Sequence, residues 1–227
     1  MDIADIRDKL HSLSDEKYAA FSAKLIPGFS DGYFVGVRTP LLRIFAKEIV
    51  RSGEYDVFLA MLPHGCFEEN LLHAFIVASE KLTIEETIRR VEIFLPYINN
   101  WAVCDQFSVK LLGRYPDVVY PFLKKWMTDE HLYTRRFGIV NSMRFFLDEN
   151  FAPYMLDDVA VAVTDDYYVQ MAVAWYFATA LAKQWDVSIS YIEERMLTDV
   201  VRKMAIRKAL DSFRISEEHK IYLRNIS

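Results

Sequence analysis

Trp101 and Asp105 stand four residues apart in the stretch NNWAVCDQF, residues 99–107. On a helix that spacing places an indole and a carboxylate on one face, about one turn apart. A carboxylate fixed in this way can stabilise positive charge developing on a neighbouring group, or hold an attacking water. An indole face attracts cationic, electron-poor groups, an effect of roughly 0.5–2 kcal/mol. Further along lie Arg135 and Arg136, which could grip a phosphate through paired hydrogen bonds, and a second tryptophan, Trp175. Each also has a plain structural reading. Trp101 could staple a helix start and Asp105 could serve that start as a first-turn acid. Arg136 could pair with Asp129 or Glu130, and Trp175 could be core.

Other chemistries find no residues to carry them. The five histidines, His11, His64, His73, His131 and His219, form no metal-ligand spacing with one another or with cysteine. Neither GxGxxG, nor a P-loop, nor a GxSxG elbow occurs, so no metal and no cofactor is expected. The carboxylate pairs Glu68-Glu69, Glu85-Glu86, Asp157-Asp158 and Glu193-Glu194 read as solvated helix starts or polar faces.

The elements that must position these side chains read as helices throughout. Apolar residues recur at three and four, and alternation of period two is nearly absent. Ser14-Asp-Glu, Thr39-Pro40, Thr83 with Glu86, Asp165-Asp166 and Ser216-Glu-Glu are start signals. The segment PGFSDGYFVG, residues 27–36, is the longest loop signal, with three glycines in ten residues. A small residue between larger ones recurs at Ala74, Ser108, Gly138, Ala172 and Ala205, at spacings of 34, 30, 34 and 33 residues. That period predicts units of two helices stacked as a HEAT-like solenoid, the small residues letting neighbouring helices approach. Asp105 lies three before Ser108, Arg136 two before Gly138 and Trp175 three after Ala172, so corresponding helices could carry them to one concave groove.

The 227 residues are 52% hydrophobic and include only seven glycines and seven prolines, so no linker is expected and residues 1–227 read as one domain. Cys66 and Cys104 read as free thiols of a cytoplasmic protein. The acidic, amphipathic start does not resemble a signal peptide. The longest near-apolar run, residues 171–182, is shorter than the ~20 residues a membrane helix needs. Net charge is −5, which argues against indiscriminate coating of nucleic acid. The charge is uneven, however. The segment 199–214 carries Arg202, Lys203, Arg207, Lys208 and Arg214 against Asp199 and Asp211, a local +3 that suits either a polyanionic partner or ordinary solvated helix faces.

The motifs GVRTPLLR (36–43), NNWAVCD (99–105), TRRFGIV (134–140) and YYVQMAVAW (167–175) together resemble the AlkD-like DNA alkylation repair family over nearly the whole chain. The resemblance implies an all-α HEAT-like solenoid with a concave DNA-binding cleft and excision of N3- and N7-alkylated purines without metal or cofactor. It places Asp105 as the catalytic carboxylate, Trp101 and Trp175 around the lesion nucleotide, and Arg136 on the DNA backbone, where Arg135 and Lys203 are also expected to bind. Asn100 and Ala102 depart from the family pattern, which carries a further tryptophan and acid in that segment. The expected partner is double-stranded DNA with alkylated bases, bound by a monomer with no membrane contact. The rival reading is a non-catalytic helical-repeat module that binds nucleic acid or a protein.

Overall fold

A computed structural model describes residues 2–226. Among them are fourteen α-helices, two short 3-10 turns and no strand. The chain divides into two compact units, one ending at Leu111 and the other beginning at Leu112.

The first unit holds α1 (Ile3–Ser12), α2 (Glu16–Leu25), α3 (Thr39–Ser52), α4 (Asp56–Ala60), α5 (Phe67–Ser79), α6 (Ile84–Phe94) and α7 (Trp101–Gln106). Within it α5 is the central helix, packed against α3, α6 and α7. Residues 67–77 of α5 are all buried, which explains why this helix has no polar face. Several starts fall one residue from the sequence signals: Asp15 caps α2 in place of Ser14, and Arg38 precedes α3, leaving Pro40 at its second position. Thr83 caps α6 as expected, accepting the Glu86 amide.

The Glu68-Glu69 pair is not solvated, contrary to the expectation. Glu68 is fully buried and its carboxylate accepts the amides of Val35, Gly36 and Val37 at 2.9, 2.7 and 3.2 Å. It thereby pins the loop that precedes α3. Burial pushes the Glu68 carboxyl up, and the three amides pull the other way. Glu69 receives Arg7 at 2.7 Å and the Gly65 amide at 2.9 Å. Gly36 is obligatory in that loop. Its φ is +91°, and a Cβ there would stand 2.2 Å from the Asp15 carbonyl.

Two histidines meet inside the same unit. His64 Nε2 lies 2.8 Å from His73 Nδ1, with Phe58 stacked on the first ring at 4.7 Å and Phe94 on the second at 3.9 Å. Burial drives His64 down to about 4, against the pull of Glu69. An unfolded histidine titrates near 6.5, so between about 6.5 and 4 the unfolded chain binds a proton that the native site refuses. Native stability should therefore be lost as pH is lowered across that window. His64→Gln should lose less stability over the same range; parallel curves of urea midpoint against pH would contradict this.

The second unit holds α8 (Pro116–Met127), α9 (Leu132–Phe145), α10 (Tyr154–Ala160), α11 (Tyr167–Lys183), α12 (Trp185–Glu193), α13 (Asp199–Asp211) and α14 (Glu217–Asn225). Its packing follows the expected repeat. α11 lies between α9 and α13, while α8 packs on α9, α10 on α8 and α11, α12 on α11, and α14 on α13. Gly138, Ala172 and Ala205 sit mid-helix and buried on α9, α11 and α13, as Ala74 does on α5.

Ser108 does not share that place. It is half-buried in the non-helical stretch between α7 and the 3-10 turn Lys110–Arg114. α7 ends at Gln106 because Phe107 leaves the helical conformation, with its ring buried edge-on against Phe94 at 5.5 Å. The fold is an all-α helical repeat whose register is helical at four of the five expected positions.

Candidate functional site

α7 shows why Trp101 and Asp105 share a face. Asn100 caps the helix, its side-chain oxygen accepting the Val103 amide at 3.0 Å. Ala102, Val103 and Cys104 are buried beneath, leaving Trp101 and Asp105 half-buried. Asn100 thus has a local role here, since it starts the helix. Asp105 is not a first-turn acid. It is the fifth of six residues, toward the carbonyl end, where a carboxylate is disfavoured by about 0.3–1 kcal/mol.

The segment leading into α7 is itself tied down within its unit. The Tyr33 hydroxyl donates to Asn99 Oδ1 at 3.0 Å and accepts from Asn70 Nδ2 at 3.3 Å, and Asn100 Nδ2 donates to Asn99 Oδ1 at 2.9 Å. Cys66, at the start of α5, is a poor nucleophile, because burial pushes its thiol up to about 12.

In the second unit, Trp175 is half-buried and is no core residue. It walls a cleft of about 440 Å³ between α11 and α13, with Ala178 and Thr179 on its own helix and Lys208, Asp211 and Arg214 opposite. Lys208 and Arg214 were missing from the residues expected at the site. A signal for Lys208 existed, since it stands three after Ala205 as Trp175 stands three after Ala172.

The arginines expected on DNA turn inward. Arg135 donates from each of its three guanidinium nitrogens to a backbone carbonyl: Asp129 at 2.8 Å, Thr128 at 3.2 Å and Ala162 at 3.2 Å. It clamps the end of α8 to the end of α10, where carbonyls lack helical partners and a cation is favoured. Arg136 is only 4% exposed and donates to the Tyr168 carbonyl at 2.5 Å, at the start of α11. Arg202 is likewise buried, donating to the carbonyls of Ile192 and Ile226. Lys203 is exposed on α13 and lies outside the Trp175 cleft.

For Arg136→Ala, the burial predicts a loss of about 2 kcal/mol in stability, the scale of a hydrogen bond from a charged group. The salt dependence of DNA binding should stay unchanged. An unchanged melting temperature with a slope flatter by about one unit would instead place Arg136 on a phosphate.

The first unit thus presents a tryptophan–carboxylate face on α7, and the second a tryptophan-walled cleft with two cations and one acid, within an all-α helical-repeat protein. A family model described as DNA alkylation repair enzyme matches residues 6–213, and the chain belongs to that family. Comparison with curated protein sequences finds no match. No described helix is long and apolar enough to cross a membrane.

Proposed function

We propose that this chain is a cytoplasmic, monomeric DNA glycosylase that releases N3- and N7-alkylated purines from double-stranded DNA without metal or cofactor. The observation that carries the reading is the outer face of α7. Trp101 and Asp105 are held half-exposed one turn apart, on a helix that Asn100 caps without help from Asp105. Alkylation at N3 or N7 makes the purine cationic and weakens its glycosidic bond, and the sugar gains positive charge as the base leaves. Asp105 stabilises that charge or holds the attacking water. Trp101 in the first unit and Trp175 in the second each offer a ring face that suits an electron-poor group. Lys203 contacts the backbone, while Arg136 acts from inside its unit by holding the first turn of the helix that carries Trp175.

The deciding experiment incubates the full chain with a duplex containing 7-methylguanine and measures released base together with the abasic sites left behind. Release in step with abasic sites is the expected result. Binding without release would overturn the enzyme reading in favour of a non-catalytic nucleic-acid-binding module.

A further inference from the structure

The turn after α13 carries a feature that folding does not explain. Phe213 is fully exposed, at 104% of its reference area, and so contributes nothing to the core. Its neighbours Ser212 and Arg214 both line the cleft beside Trp175, and the Ser212 hydroxyl accepts the Arg214 amide at 3.2 Å. Lys208 stands on the same cleft. Among the described residues neither Lys208 nor Arg214 is paired with a carboxylate. With Asp211 as the one acid on the wall, the cleft carries two cations against one anion, a net +1.

An isolated exposed apolar side chain is common on protein surfaces. An exposed phenyl ring whose two chain neighbours line a cleft that also carries Lys208 and an indole wall is a more particular arrangement. Single-stranded nucleic acid is bound by this combination, with cations along the phosphodiester backbone and aromatic rings on which unpaired bases stack.

We propose that the turn Ser212–Arg214 is an aromatic finger, in which Phe213 stacks on a base that has left its partner while Lys208 and Arg214 hold the flanking phosphodiesters. The proposal rests on the nucleic-acid reading above and requires no glycosidic chemistry. The occupant it names is a locally opened DNA strand, since a perfect duplex presents no free base face to Phe213.

The test uses the full chain and two fluorescent duplexes, one perfectly paired and one with a single unpaired nucleotide, neither alkylated. Wild type should bind the bulged duplex more tightly. Phe213→Ala should melt as wild type, because the ring is fully exposed. It should lose about tenfold in affinity for the bulged duplex and less than twofold for the paired one. Phe213→Trp should restore the preference. The double variant Lys208→Gln, Arg214→Gln should weaken binding to both duplexes and flatten the salt slope by about two units.

Equal affinity of Phe213→Ala and wild type for the bulged duplex would overturn the proposal. So would a wild-type dimer in sedimentation that Phe213→Ala converts to monomer, since the ring would then belong to a protein contact. Release of 7-methylguanine, measured on the same preparations, separates this proposal from the glycosylase reading. A bulge preference without release removes only the enzyme, and release without a Phe213-dependent preference removes only the finger.

Discussion

Asp105→Asn is expected to lower release of 7-methylguanine about 100-fold or more, the scale on which losing one preorganised electrostatic group slows a reaction. Asparagine keeps the shape and the capacity for hydrogen bonds but removes the charge. The side chain is half-buried near the carbonyl end of α7, where a negative charge does not help the helix. Melting should therefore change by no more than about 1 kcal/mol. Removing a negative charge beside a polyanion should leave DNA affinity equal or higher, so the loss should appear in the single-turnover rate. A structural Asp105 would behave in the opposite way, with a lower melting temperature and release at the parent rate. That outcome would remove the carboxylate from the mechanism.

Features decided by local periodicity were legible in the sequence. Spacings of three and four gave an all-α fold, and the recurring small residue located buried contact positions on α5, α9, α11 and α13. The helical face shared by Trp101 and Asp105 follows from their spacing alone. Register also held information that the sequence reading did not use, because the offset that puts Trp175 on a cleft puts Lys208 on the same cleft.

Features decided by distant partners were not legible. Arg135 and Arg136 look like phosphate anchors in a list of residues. Their surroundings are set by carbonyls at Ala162 and Tyr168, 27 and 32 residues away. Glu68 and Glu69 look solvated until the loop at 35–37 folds over one and Arg7 reaches the other from 62 residues upstream. Ser108 fitted the period, but Phe107 ended the helix first. Exposure is a further blind spot. A phenylalanine in a sequence reads as core, and only the fold shows that Phe213 has no core to join.

Gly138 is where the repeat argument is most exposed to experiment. A Cβ at this position would stand 2.8 Å from the Met127 amide nitrogen and 3.1 Å from the Leu123 carbonyl, both backbone atoms of α8. Neither can move without shifting α8 against α9, where Trp126 is 1% exposed and meets Phe137 edge-on at 5.5 Å. Helix propensity alone predicts that Gly138→Ala stabilises the chain by about 1 kcal/mol. Overpacking at a backbone contact costs about 1–3 kcal/mol, and here the obstacle is main chain, so the upper end applies. The net expectation is a loss of about 2 kcal/mol for Gly138→Ala. Gly138→Val should lose about 4 kcal/mol, because its branched side chain adds two further methyl groups at the same contact. Urea midpoints of the two variants against wild type measure both effects. If Gly138→Ala proves as stable as wild type or more so, α8 does not approach α9 this closely, and the small residue at that register position is there by chance.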